Sequence, residues 1–221
     1  MLEPLSPTPD LTERVHAALL DSICTGEFAP GRRLTQAELA RQLAVSRQPV
    51  IQALNLLRRQ GLVLDTPSRR GVVVAPMDAD AIRDLYAVRA SLDALAAQEA
   101  ARRAPADALA GLDALIGSHE SFRATDLGRL VDDDVEFHAT IYRASGNDLL
   151  ERTARQHAHH TRRAMSIYLR DPDGAAAAWH DHRRILEAIR AQDGDLASRL
   201  AREHAQRSCQ ALLAQTRDDD R

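Results

Sequence analysis

Four side chains in the C-terminal two-thirds of the chain have the types and positions needed to bind a metal ion. Each interrupts the apolar face of a predicted helix: Asp134, His138, His182 and His204. Asp134 and His138 are four residues apart, so their Cβ atoms lie about 5–6 Å apart on one helical face. A carboxylate with three imidazoles suits a divalent cation such as Zn, Ni, Mn or Fe, and the spacing does not choose among these ions.

A single histidine on an apolar face is more often a hydrogen-bonded core residue than a ligand. Burying three unpaired imidazoles and a carboxylate together would cost on the order of several kcal/mol, whereas one cation would satisfy all four groups. The set therefore indicates a metal site. His160 also lies on an apolar face, where it could line a pocket or act as a substitute ligand, while His157, His159 and His180 are predicted to be solvated.

The elements that must position these residues are predicted to be helices throughout the second part of the chain. Asp78 is a candidate N-cap of a long helix, Pro105 precedes a shorter one, and later helices are predicted over 125–144, 148–169, 175–191 and 195–216. Gly194 separates the last two helices. They should form an antiparallel hairpin that brings His182 and His204 together.

Arg89 lies within the predicted buried face of the long helix, which comprises Leu85, Arg89, Leu92 and Ala96. A guanidinium facing the interior can pair bidentately with the carboxylate of a bound molecule. The alternative is a buried ion pair with an acidic residue of the core such as Asp93 or Glu99. Both interpretations of Arg89 stay open at the level of sequence.

The N-terminal third has the pattern of a winged helix-turn-helix. Helices are predicted over 11–25, 35–44 and 46–60, and strands over 62–64 and 72–74 flank a turn over 66–71. The third helix buries its apolar face and leaves polar residues at the end that enters the major groove in this motif. The predicted DNA contacts are Thr35, Ser46, Arg47, Gln48, Gln52 and Arg58, with Arg69 and Arg70 at the tip of the wing.

The length and composition of the chain indicate how many domains it has and of what class. The chain has 221 residues, 44% of them hydrophobic and only 3% aromatic, which favours two mostly α domains packed through small residues. We expect a disordered tail over 1–10, a DNA-binding domain over 11–76, a helical domain over 77–216 and a tail over 217–221. Residues 1–75 carry nine Arg and seven acidic residues, a basic excess too small to prove nucleic-acid binding.

The sequence predicts a cytoplasmic protein. The first ten residues lack the basic and apolar segments of a signal peptide, and no run approaches the roughly 18 apolar residues of a membrane span. Cys24 and Cys209 lie far apart without CxxC spacing, so we expect reduced structural thiols.

The first domain resembles the GntR family of bacterial regulators. The resemblance covers about residues 11–76 and rests on the runs Gly26 to Gly31, Leu34 to Ala40, Val45 to Val50, Gly61 to Val63 and Arg70-Gly71. It implies a homodimer that binds a palindromic operator. The family commonly carries Arg at the position of Ile51 and often carries Arg at that of Ala37, both associated with base or phosphate contact. The operator is therefore expected to differ from those of better-known relatives.

The second domain, about residues 78–215, resembles the FCD effector domain of the FadR-like branch. The motifs are Asp134 to His138, Ala144 to Asn147, His182 to Ile189, Gly194-Asp195 and His204. In metal-binding members one Asp and three His hold the ion. The resemblance implies a small organic or sugar acid bound beside the metal, in contact with basic residues, rather than an acyl-CoA.

Together these features predict a transcription regulator, with a repressor as the favoured type, and not an enzyme. Its operator affinity would respond to a carboxylate-containing effector bound near Arg89 and His160. Two alternatives remain: a regulator that responds to the metal directly, and a metal-dependent hydrolase in which the ion activates water.

Overall fold

The computed structural model of the chain describes residues 11–66, 71–119 and 127–219. The chain divides into two compact units, Met1–Pro76 and Met77–Arg221. The first has short helices and a small sheet, and the second is built from helices alone among the residues described. The predicted fold class, a winged helix-turn-helix followed by an all-α helical domain, is confirmed.

The first unit contains three helices, with α1 and α2 packed against α3, and a three-stranded antiparallel sheet. Its elements are α1 Leu11–Cys24, β1 Arg33–Leu34, α2 Gln36–Gln42, α3 Arg47–Arg59, β2 Val63–Asp65 and β3 Val72–Val74. The strand order is β1-β3-β2, with Leu34 opposite Val72 and Val63 opposite Val74. Strand β1 was not predicted, because two residues are too few to show an alternating pattern.

Local signals fix α2 and α3. The Thr35 hydroxyl accepts a hydrogen bond from the Glu38 backbone N–H at 3.3 Å and so caps the N-terminus of α2. Helix α3 buries Val50, Leu54 and Leu57 on one face. Ser46 occupies the N-cap position of α3 but makes no side-chain cap hydrogen bond. Its hydroxyl is therefore not used in capping the helix.

Gly71 immediately precedes strand β3 and has a conformation that requires glycine. Its φ is +106°, and a Cβ placed there would lie 2.4 Å from the carbonyl oxygen of Leu34. The approach is this close because β3 pairs with β1 immediately beyond it. Most of the predicted turn, residues 67–70, lies outside the described residues.

The second unit consists of helices joined by short connections where the structure describes them. The helices are α4 Ala79–Arg103, α5 Ala106–Ser118, α6 Leu127–Ala144, α7 Asp148–Tyr168, α8 Pro172–Arg190 and α9 Gly194–Asp219. Their bounds agree with the predicted helices within a few residues. Asp78, Asn147 and Asp171 cap α4, α7 and α8 by accepting backbone N–H bonds.

Helix α4 is central to this unit and packs against α6, α7, α8 and α9. It buries a series of alanines, Ala90, Ala94, Ala96, Ala97, Ala100 and Ala101, which allow close approach of its neighbours. The predicted buried face was partly wrong: Leu85 and Leu92 are only half-buried, while Tyr86 and Asp93 are buried. A helix covered on several sides buries more than one stripe of residues.

No helix within the described ranges is long and apolar enough to cross a lipid bilayer. Neither Cys24 nor Cys209 forms a disulfide among the described residues. Cys24 is buried in the first unit and Cys209 is half-buried on α9 in the second.

Candidate functional site

Three helices of the second unit bring the predicted metal ligands together. Asp134 and His138 project from α6, His182 from α8 and His204 from α9. Each of the four residues offers one possible ligand atom, and these four atoms all lie within 4.8 Å of one another. All four residues are buried. Ligand atoms about 2.0–2.2 Å from one ion would lie roughly 3–3.5 Å apart, so a small contraction of the cluster would suit a cation.

Most polar atoms of this cluster lack the partners that buried groups normally have. Both carboxylate oxygens of Asp134, both ring nitrogens of His182 and Nε2 of His204 have no hydrogen-bond partner among the described residues. The shortest approach of Asp134 to an imidazole is 3.5 Å, from Oδ1 to His182 Nε2. Because unpaired buried polar groups are costly, this donor set fits a divalent cation and is poorly explained without one.

Burial also lowers the pKa of two imidazoles of the cluster. It lowers the pKa of His182 well below its usual value, and the neighbouring His204, His138 and Arg89 lower it further. The pKa of His204 is lowered by burial as well, although the carboxylate of Asp181 opposes this shift. Neutral imidazoles offer the lone pairs that a metal ion needs.

Two further carboxylates orient the imidazoles from outside the cluster. Asp181 lies 3.4 Å from Nδ1 of His204 and is held by Arg207, whose Nη2 and Nε donate at 2.7 and 3.1 Å. Asp93 lies 3.6 Å from Nδ1 of His138. Carboxylates commonly fix the tautomer of metal-binding histidines in this way. Neither Asp181 nor Arg207 was predicted from the sequence. The visible signal for this pair was that His204 and Arg207 share a helical face.

Arg89 joins this carboxylate network to the cluster. Its Nε lies 3.3 Å from Asp93, its Nη2 donates to Nε2 of His138 at 2.7 Å, and Nη2 is 3.8 Å from Asp134. The hydroxyl of Tyr142 also donates to Asp93. Burial opposes the charge of Arg89, but Asp93, Tyr86 and Asp134 together outweigh it, so the pKa of Arg89 lies above its usual value.

The two interpretations of Arg89 are thus compatible. It forms the buried ion pair with Asp93, and it also faces the predicted metal ligands. Glu99, the other suggested partner, pairs with Arg103 at 3.1 Å. The pKa of Asp93 lies below its usual value because His138 and Arg89 overcome the opposing effect of burial. Both groups of the pair are therefore charged.

A cavity of about 220 Å³ opens beside this network, between α4, α6 and α7. Arg89, His138 and Tyr142 form part of its wall. His160, predicted to contact the effector, is half-buried but is not among the described residues that line the cavity. The lining residues of α7 recur at helical spacing from Glu151 to Thr161, and His160 lies about 100° from Thr161 around the helix.

Aromatic packing holds the imidazole of His182 in place. Phe137 stacks on it with ring centroids 3.9 Å apart, and Trp179 meets it edge-on at 4.9 Å. His119 in turn stacks on Trp179 at 3.8 Å and contacts Asp133 through Nε2 at 2.8 Å. The ring plane of His182 is thus set by its neighbours.

The predicted DNA contacts of the first unit divide into two groups. Ser46, Arg47 and Gln48 are exposed at the N-terminal end of α3, and neither Arg47 nor Gln48 makes a hydrogen bond or ion pair with the part of the chain that the structure describes. Arg47 and Gln48 therefore form an available polar surface. Arg69 and Arg70 lie outside the described residues.

The other predicted contacts are already engaged within the unit. Thr35 caps α2, and Gln52 accepts a hydrogen bond from Thr12 at 2.7 Å. Arg58 donates to Asn55 at 2.5 Å and lies 2.9 Å from Asp65. Sequence spacing places these residues on polar faces but does not show such partners. Of the two departures from the family pattern, Ile51 is half-buried and Ala37 is exposed.

Comparison with known families assigns both units. Residues 11–74 match the model of the bacterial regulatory proteins of the gntR family, and residues 84–207 match the FCD domain. The chain belongs to the GntR family, with an FCD domain as its second part. It is a DNA-binding transcription regulator and not an enzyme.

Relatives of known sequence agree with this assignment. The Nta operon transcriptional regulator of Aminobacter aminovorans is 34% identical over 140 residues, 63% of this chain and 66% of that protein. The HTH-type transcriptional regulator YdhC of Bacillus subtilis is 27% identical over 190 residues, which cover 83% of this chain and 82% of YdhC.

Solved structures show the same fold. McbR/YncC of E. coli, 21% identical, superposes with a TM-score of 0.79 over 94% of this chain and 99% of its own. The metal-free FCD domain of TM0439, 18% identical, gives a TM-score of 0.57 over 65% of this chain and 99% of its own.

Proposed function

We propose that this regulator is a homodimeric repressor that leaves its palindromic operator when a small carboxylate-containing effector binds beside a divalent metal ion. The observation that carries the proposal is the buried cluster of Asp134, His138, His182 and His204 in the FCD domain of a chain that begins with a GntR domain. Effector binding would act by differing in free energy between two conformations of the protein.

The available end of α3 supports the DNA-binding part of this proposal. Arg47 and Gln48 have the donors that can contact base edges in the major groove, and Ser46 keeps a hydroxyl for a phosphate because it is not used in capping. Arg69 and Arg70 in the wing would contact the backbone or minor groove. Gln52 and Arg58 would first have to exchange their partners within the protein.

Asp134, His138, His182 and His204 would hold the metal. The donor set of one carboxylate and three imidazoles suits Zn, Ni, Mn or Fe. When bound, the ion supplies a Lewis-acidic position for an oxygen of the effector. Asp181 and Arg207 orient His204, and Arg89 contributes a charged group between the cluster and the cavity.

The proposal is tested by DNA binding at fixed ionic strength. Duplexes would first be selected by the purified chain from a random library, and palindromic sequences are expected. Fluorescence anisotropy then measures affinity for the selected duplex with chelated protein, with Zn²⁺-loaded protein, and with loaded protein plus a panel of acids that includes benzoate, gluconate and citrate.

A fall in affinity that requires both Zn²⁺ and an acid is the expected result. A change produced by Zn²⁺ alone would instead establish the direct metal-responsive alternative. His182→Ala should remove the response, whereas His180→Ala on the exposed face of the same helix should keep it. No response to Zn²⁺ or to any of the acids would overturn the proposal.

A further inference from the structure

Most of the surface of the cavity beside Arg89 is apolar, although charged residues also line it. Val135 and Ala139 line it from α6, and Ala154 and Ala158 line it from α7. Hydroxyl groups come from Thr161 and Tyr142, and that of Tyr142 already donates to Asp93. A ligand with several hydroxyl groups would leave most of them without partners, which reduces affinity.

The cavity offers one buried cationic group with a free donor. The Arg89 side chain is 4% exposed, and its Nη1 has no hydrogen-bond partner among the described residues. This atom remains available although Nε contacts Asp93 and Nη2 donates to His138. One carboxylate can therefore be recognised at the end of the cavity nearest the predicted metal ligands.

The outer charged groups do not favour a second carboxylate. Arg143 donates to Glu136 at 2.6 Å and to Thr140 at 2.7 Å, and Arg155 is paired with Glu151. Both arginines are thus balanced by acidic residues. Glu151 itself lines the cavity, where its charge would repel a second anionic group of the ligand.

The cavity volume limits the size of the apolar part. A cavity of about 150 Å³ lined by apolar side chains holds one benzene molecule. The 220 Å³ beside Arg89 therefore accommodates one ring, or a branched chain of similar volume, together with a carboxylate.

From these observations we infer that the effector is a monocarboxylate with a compact apolar body of about one ring, and not a sugar acid or a polycarboxylate. This inference rests on the proposed function and narrows the class of effector. The carboxylate would contact Arg89 beside the predicted metal ligand His138, while the apolar body packs between α6 and α7.

Calorimetric titration of the Zn²⁺-loaded full chain tests the inference. Benzoate and cyclohexanecarboxylate should bind at least ten times more tightly than gluconate and citrate. Benzyl alcohol, which keeps the ring without the carboxylate, should bind at least ten times more weakly than benzoate.

Two variants of α7 locate the apolar body. Ala158→Asp places a charge in the aliphatic wall and should weaken benzoate binding at least tenfold, whereas Gln156→Asp, at an exposed position of the same helix, should leave it unchanged. Zn²⁺ stoichiometry and the melting curve show whether each variant is folded. Ala158→Gln provides a second, uncharged change of the same wall if Ala158→Asp does not fold.

The outcomes separate this inference from the function on which it rests. Tighter binding of gluconate or citrate than of benzoate would overturn the inference and leave the carboxylate-responsive regulator intact. Benzoate binding that is unchanged in both Ala158 variants would overturn the location in the cavity. Failure of all four acids to bind the metal-loaded chain would overturn both proposals.

Discussion

Replacing His182 by alanine should abolish the stabilisation of the second unit by metal. His182 is fully buried and is the potential metal ligand on α8. Its Nε2 lies 3.5 Å from Oδ1 of Asp134. Its loss leaves three of the four potential ligands. Since these residues come from three different helices, metal binding requires the folded unit and is lost on unfolding.

The size of the effect follows from mass action. A ligand at 100 times its dissociation constant that binds only the folded state adds about 2.7 kcal/mol to the free energy of unfolding. For a unit of the length of Met77–Arg221, each kcal/mol raises the melting temperature by about 2–4 °C. Zn²⁺ at that excess should therefore raise the melting temperature by about 5–11 °C.

The assay is differential scanning calorimetry of chelated and metal-loaded protein, with Zn²⁺, Ni²⁺ and Mn²⁺ compared in turn. His182→Ala also removes the ring that stacks on Phe137, at a cost of about 3–5 kcal/mol by analogy with other buried aromatic residues. The quantity to compare is consequently the metal-dependent increment within each variant, and not the melting temperature alone.

The exposed His180, two residues earlier on α8, provides the matched control. His180→Ala should keep the full increment, and His182→Gln should lose it while retaining a polar side chain if His182→Ala does not fold. A full increment in both His182 variants would show that this imidazole is not a ligand and would refute the shared site.

Three further changes test other parts of the molecule. Asp181→Asn should weaken metal affinity about 10–100-fold, measured by competition with a chelator, because the carboxylate orients His204. Arg47→Ala should weaken binding of the selected duplex by about 1–3 kcal/mol in anisotropy titrations, because the guanidinium is expected to contact a base. An unchanged affinity would show that Arg47 is not part of the DNA interface. Ala44→Gly should stabilise the first unit by about 1 kcal/mol in urea unfolding, because Ala44 has a φ of 52° in the left-handed region. A loss of stability would contradict this explanation of the Ala44 backbone.

Most helices could be predicted from sequence because their signals are local. Apolar residues spaced three and four apart and the caps Thr35 and Asp78 lie within one or two turns of the helices they define. The buried surface of α4 was harder to predict. Which sides of a helix are covered depends on its neighbours in space, so Tyr86 was missed as a member of the buried face, while Asp93 was expected there only as a possible partner of Arg89.

The candidate site shows the same division. Residue type and helical register predicted that Asp134, His138, His182 and His204 come together, and the coordinates place their ligand atoms close to one another. The contacts of Tyr142 with Asp93 and of Arg207 with Asp181 join distant parts of the chain. No local pattern reveals such contacts, because they depend on how the helices pack.

The edge-on contact between Trp179 and His182 gives the protein an intrinsic optical probe. Trp179 is the only tryptophan of the chain, and its ring centroid lies 4.9 Å from that of His182. Any ion that binds this imidazole changes the electric field at the indole, and a paramagnetic ion such as Ni²⁺ should also quench its emission. Occupancy of the centre can therefore be followed by unlabelled fluorescence in the native sequence, at micromolar protein and in the presence of DNA.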